Sequence, residues 1–116
     1  MSKPNIIQLS EFDITQRIVE SLSNICTRAV LFSVKNESKD ATQIADELKI
    51  SLSTVYKTLS TLEDLALVEV AQYVISLEGK KIKQYRSRIG KVEITLDNME
   101  PSLNLYPNTE NPKTNP

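Results

Sequence analysis

The chain has 116 residues, a single-domain length, with 40% hydrophobic residues, 5% aromatics, no Trp and no His. Its one cysteine, Cys26, excludes an internal disulfide, and without histidine neither a metal site nor another cofactor is expected. The net charge of −1 argues against a general attraction to nucleic acid, yet residues 79–91 hold six basic side chains and no acidic one, leaving −7 on the remainder.

Residues 1–9 read as a loose lead-in, and MSKPNIIQLSEF lacks the long apolar stretch of a secretory signal. No apolar run approaches the roughly 18–20 residues of a membrane span, so a cytoplasmic protein is the default expectation. A folded domain is expected over 10–97. Ser10 is the predicted cap of its first helix, with Asp13 at capping-box spacing. Phe12, Ile14, Ile18, Val19, Leu22 and Ile25 then recur at helical intervals. Asn24 is the predicted cap of a second helix, ICTRAVLFSVKN, whose Ile25, Ala29, Val30 and Phe32 cover much of its circumference, as in a central helix buried on several sides.

Asp40 and Gln43 form a capping box for a short third helix with Ile44, Ala45 and Leu48 on its apolar stripe. A tight break at Lys49 and Ile50 follows. Ser51 then caps a fourth helix that runs to about Leu65. On a wheel of about 100° per residue, Leu52, Val55, Leu59, Leu62 and Ala66 make its buried face. Ser53, Lys57, Ser60 and Thr61 lie opposite, with Thr54 and Thr58 on one edge and Tyr56 on the other. Six of the eleven residues 51–61 are Ser or Thr. Such residues are mediocre helix formers, because their hydroxyls compete for backbone groups. They are short, however, and both donate and accept. A helix faced with them enters a major groove about 12 Å wide without obstruction and bonds phosphates or base edges.

Beyond Leu65 the period changes to two. Val68 and Val70 fall on one phase, and Tyr73, Ile75 and Leu77 on the other, so a bulge is expected near Ala71 and Gln72. EGKK is a predicted turn and IKQYRSRI the returning strand of a hairpin. Residues 91–97, KVEITLD, read as a third strand. From Asn98 onward the chain is rich in proline and asparagine and poor in core formers. A mostly disordered tail is expected at 98–116, with Leu103, Leu105 and Tyr106 as the residues that could dock.

The stretch DATQIADELKISLSTVYKTLSTLEDLALVEV followed by GKKIKQYRSRI resembles the winged helix-turn-helix of archaeal and bacterial transcription regulators of the ArsR-like and MarR-like groups. SNICTRAVLFSV is similar to the helix before the motif in ArsR-like proteins. Small output domains of ammonia-oxidising archaea are also similar. The resemblance implies an α+β fold, helices followed by a two- to three-stranded antiparallel wing sheet. It makes 52–65 the recognition helix, with Ser51, Ser53, Thr54, Tyr56 and Lys57 facing DNA and Lys80, Lys81 and Lys83 on the wing. Thr61, on the same polar face, and Arg86, in the basic stretch, complete the expected DNA-binding set. The resemblance also implies a homodimer, for which the helix at 10–22 is the expected interface.

Two departures stand out. Lys49 and Ala66 occupy positions where glycine is common, and Cys26 has no partner for the metal-sensing pair of many ArsR-like proteins.

The expected function is therefore sequence-specific binding of double-stranded DNA in transcription regulation. The alternative is a winged-helix adaptor that binds protein, which the total charge favours and the hydroxyl face and basic hairpin disfavour. A third option for the basic strand alone is a solvated edge whose charges deter pairing. An enzyme is not expected: there is no Gly-rich phosphate loop, no histidine and no nucleophile beside an evident base.

Overall fold

The computed structural model describes the backbone of residues 6–109 and the side chains from Ile14 to Thr109. Four helices, α1 (Ile6–Ser23), α2 (Ile25–Ser33), α3 (Ala41–Leu48) and α4 (Leu52–Asp64), precede four strands, β1 (Val68–Ile75), β2 (Lys81–Ser87), β3 (Ile89–Thr95) and β4 (Ser102–Pro107). β1 pairs antiparallel with β2, and β3 with β4, as two separate hairpins. This is the α+β winged helix-turn-helix that the resemblance implies.

Local chemistry sets the helix starts. Asn24 Oδ1 accepts from the backbone N–H of Cys26 at 2.8 Å and of Thr27 at 3.2 Å. Asp40 and Gln43 bond each other's backbone N–H groups reciprocally, each at 2.9 Å, a complete capping box. Ser51 Oγ accepts from Thr54 N–H at 3.2 Å. Between α3 and α4 the chain turns through Lys49, whose φ of 58° is left-handed, and after α4 it turns through Ala66 at 59°. Both positions thus keep the geometry that glycine adopts without penalty, at about 1–2 kcal/mol each for a residue with a Cβ.

The core is one cluster. Val30, Leu31 and Val34 of the α2 segment meet Ala41 and Ile44 of α3, and Val55, Leu59 and Leu62 of α4. Ile18 and Leu22 of α1 close one side, and Leu67, Val68, Tyr85 and Ile89 join the strands to it. The base of the first hairpin is stapled to the helices by backbone bonds. Lys39 and Tyr85 exchange N–H···O bonds of 3.1 and 2.8 Å, and Ser87 N–H donates to Val34 C=O at 3.0 Å.

Four sequence expectations need correction. First, α1 begins at Ile6, so Ser10 lies inside the helix rather than at its cap and residues 6–9 are not a loose lead-in. Ile6, Ile7 and Leu9 carry the helical pattern back one further turn. Second, α2 buries Val30 and Leu31, whereas Ile25 is 75% exposed and Phe32 39%. Both apolar side chains lie off the stripe that faces α3 and α4. Third, Leu52 and Ala66, placed on the buried face of α4, are exposed, because Leu52 sits in the first turn ahead of Val55, the first residue of α4 to reach the core, and Ala66 lies past the helix end.

Fourth, the tail is ordered through residue 107, because β4 pairs with β3 from Ser102 to Pro107. Asn108 then anchors the strand end. Its Nδ2 donates to Lys35 C=O at 2.8 Å and to Ser87 C=O at 2.9 Å. Gly90 permits the closure, since a Cβ there would lie 3.1 Å from Pro107 O. Proline and asparagine here stop and pin a strand, and Leu103 supplies the apolar contact with the core.

Candidate nucleic-acid interface

The face of α4 opposite its buried stripe is solvent-exposed. Ser51, Ser53, Thr54, Tyr56, Lys57, Ser60 and Thr61 are all exposed, while Val55, Leu59 and Leu62 are sealed in the core. At the helix start, Ser51 Oγ donates to Thr54 Oγ1 at 2.7 Å and lies 3.3 Å from Ser53 Oγ. These three hydroxyls form a linked cluster over the helix N-terminus, where orphan N–H groups favour an anion. Thr61 Oγ1 bonds back to Lys57 C=O at 3.2 Å, which leaves its methyl group to the surface.

The first hairpin stands beside this face. An open cleft of about 450 Å³ is lined by Tyr56 of α4, by Lys80, Lys81, Ile82, Lys83 and Tyr85 of the hairpin, and by Asp40, Ala41 and Thr42 at the start of α3. The lysines of the wing thus share one concave surface with Tyr56, at the edge of the polar face of α4. Lys57, Lys80, Lys81 and Lys83 make no ion pair among the described residues. Cations in that state attract an external polyanion rather than compensating one another.

The register explains how the wing is faced. Val70 lies opposite Tyr85, Tyr73 opposite Lys83 and Ile75 opposite Lys81, with an irregularity between Val70 and Gln72. The extra residue, Ala71, is the bulge expected from the phase slip. It brings Tyr73 and Ile75 onto the face shared with Lys81, Lys83 and Tyr85. Lys81 Nζ sits 5.6 Å from the Tyr73 ring centroid, a cation–π contact that positions the ammonium. Burial raises the pKa of the Tyr85 phenol above its ordinary value, and Glu63, Tyr56 and Tyr73 push it the same way.

Not every expected residue joins this surface. Arg86 pairs in register with Glu69 on the other face of the ribbon. Arg88 is turned toward Glu69, at 3.9 Å, and toward Ala66 C=O, at 3.4 Å. Lys91 pairs with Glu93 at 3.0 Å on β3. The basic run of residues 79–91 is thus divided, with three lysines in the cleft and three cations elsewhere. Conversely, Tyr85 and the start of α3 line the cleft, and Tyr73 stands beside its lysines, although sequence spacing did not single them out for it. The bulge was the available signal for Tyr73. For Tyr85 and α3 none existed, because their proximity arises from the tertiary bridge at Lys39.

Cys26 is half-buried in the first turn of α2, away from the cleft. No group of potential metal ligands occurs among the described residues, and none of their helices is long and apolar enough to cross a membrane.

Comparison with known proteins agrees with the fold. Residues 28–70 match the family model described as bacterial regulatory protein, arsR family. The structure superposes on the crystal structure of NolR from Sinorhizobium fredii with a TM-score of 0.57 at 20% identity, over 75% of this chain and 81% of that one. No curated protein matches the chain by sequence.

Proposed function

We propose, from the premise that residues 28–70 form an arsR-type helix-turn-helix within a winged-helix fold, that the chain is a double-stranded DNA-binding transcriptional regulator or output domain. The observation that carries this reading is the single cleft joining Tyr56 of α4 to Lys80, Lys81 and Lys83 of the wing. α4 enters the major groove. Ser53, Thr54 and Lys57 meet base edges, and Ser51, Tyr56 and Thr61 meet phosphates or the groove wall. The wing lysines fix the register on the backbone. Arg86 stands on the far face of the ribbon and contributes to the field rather than to direct contact.

The protein acts as a homodimer in this reading, with α1 at its interface. Ile14 is half exposed there. An apolar groove of about 410 Å³ runs between Val19 and Leu22 of α1, Phe32 of α2, and Val92 and Ile94 of β3. A two-fold dimer would match a palindromic site with half-sites about one helical turn apart.

Selection of bound sequences from a random duplex pool, followed by a salt titration of the winner, tests the proposal. Three wing lysines on phosphates correspond to a slope of log K against log salt near about −2.7 per protomer. Recovery of no enriched sequence, or a salt-independent affinity, would exclude it.

A further inference from the structure

We infer that the wing carries an apolar wedge, Leu77 backed by Ile75, which enters the minor groove of the bound duplex and kinks it. The inference rests on the proposed DNA reading and adds a mechanical role that base and phosphate contacts do not supply.

Tyr73, Ile75 and Leu77 are 55%, 62% and 109% exposed, a run of large apolar side chains along the outer half of the ribbon. An isolated exposed leucine is ordinary, but a contiguous apolar strip on a projecting element marks a contact surface. The bulge at Ala71 turns Tyr73 and Ile75 toward the side of Lys81 and Lys83, so these two and the cations share one face, and Leu77 follows at the turn. Without that extra residue, Gln72 and Val74 would occupy it.

The tip is also stiff. Gly79, at φ 82°, takes the left-handed position of the turn. Gly79 N–H donates to Ser76 C=O at 2.9 Å, and Ser76 N–H donates to Lys80 C=O at 2.9 Å. Ser76 Oγ accepts from Lys80 N–H at 3.1 Å and from Glu78 N–H at 3.3 Å. The turn is thus held by its backbone and one serine, and Leu77, on its crest, has no part in holding it. A rigid mount with an exposed branched side chain is what a wedge requires, because a floppy tip would yield before a base step did.

Charge selects the partner. Lys80, Lys81 and Lys83 flank the strip, and Glu78 is the one acid at the tip. The same lysines line the cleft that contains Tyr56, so whatever α4 binds extends to the wing. On a duplex, the neighbouring phosphates take the lysines and the apolar crest meets the minor-groove floor. Leucine and isoleucine inserted there unstack a base step and bend the helix toward the major groove. An anionic bilayer would also accept lysines around leucine. The cleft these lysines share with Tyr56 of α4 favours the duplex.

The test uses the full chain and a duplex labelled at both ends for energy transfer, carrying the selected site. Wild type should shorten the end-to-end distance. Leu77→Ala should bind within about threefold of wild type yet leave the duplex straight, and Leu77→Met, which keeps a wedge, should bend it. Equal thermal midpoints will show that both variants fold, as expected for a side chain without contacts. Wild type that binds without bending, or Leu77→Ala that bends equally, overturns the inference while the DNA reading stands. Failure of wild type to bind any duplex overturns both. Co-sedimentation with phosphatidylserine vesicles that is lost in Leu77→Ala, beside an unbent duplex, reassigns the strip to a membrane and also overturns it.

Discussion

The two hairpins are built from similar lengths of chain and do opposite things with their side chains. In β1–β2, one face runs from buried at the base, with Val68, Tyr85 and Ser87, to open at the tip, with Lys81, Lys83 and Ile75. In β3–β4, Val92, Ile94, Leu103 and Leu105 share one face, and Val92 and Leu103 pack on the helical core. The other face of β3–β4 settles its own charge. Lys91 bonds Glu93 at 3.0 Å and lies 5.2 Å from the Tyr106 ring centroid. The hydrogen bond to Glu93 raises the Lys91 pKa, and its reciprocal lowers that of Glu93. One hairpin directs Lys81 and Lys83 outward, whereas the other lends apolar area inward. Whether a hairpin is a contact surface or a structural cover is decided by which face carries the alternating apolar set, not by its backbone.

Substitutions can break that contrast. The largest stability effect should come from Leu103→Ala, which removes partly buried contact with the core and should cost about 2–3 kcal/mol in denaturant unfolding. Intrinsic duplex affinity, measured where the variant remains folded, should hold. Next, Lys80→Ala with Lys81→Ala should weaken duplex binding by about 10–100-fold and lower the salt slope by about two, with unfolding unchanged within about 0.5 kcal/mol. If that pair lowered stability and left affinity intact, the division between the hairpins would fail. Lys49→Gly and Ala66→Gly should each stabilise by about 0.5–1 kcal/mol, because release of left-handed strain exceeds the added entropy of the unfolded chain.

The smallest effect concerns pH. Tyr85 holds its proton more tightly folded than unfolded, so its contribution is complete below the ordinary tyrosine pKa of 10.0 and declines as pH rises from there through the raised folded value. Tyr85→Phe should flatten that alkaline decline in a pH series of thermal midpoints. An unchanged decline would show that another group causes it.

Much of this arrangement is legible in the residues. The caps at Asn24, Asp40 and Ser51, the outward hydroxyl face of α4 and the slip at Ala71 depend on local spacing and local hydrogen bonds, which sequence displays directly. What spacing does not display is which of several apolar stripes a neighbour covers. Ile25 and Phe32 fit a buried pattern yet lie outside it, because α3 and α4 approach α2 from the side of Val30 and Leu31. The order of the tail is hidden in the sequence for a related reason. A short strand rich in asparagine and proline has little intrinsic preference, and β3 with the carbonyls of Lys35 and Ser87 supplies the order. Within the candidate site, the division of the basic run into two sets followed from strand alternation. Membership of Asp40–Thr42 followed from a bridge between residues 46 positions apart, Lys39 and Tyr85.

That bridge has a mechanical consequence. Lys39–Tyr85 and Ser87–Val34 tie the hairpin to both ends of the loop between α2 and α3, so swinging the hairpin means breaking three backbone bonds, each worth about 0.5–1.5 kcal/mol. The molecule has no cheap hinge between the helices and this hairpin. It behaves as a fixed caliper, and under the proposed reading a duplex would have to present its two points of purchase at one spacing, where a single inserted base pair shifts them by about 3.4 Å.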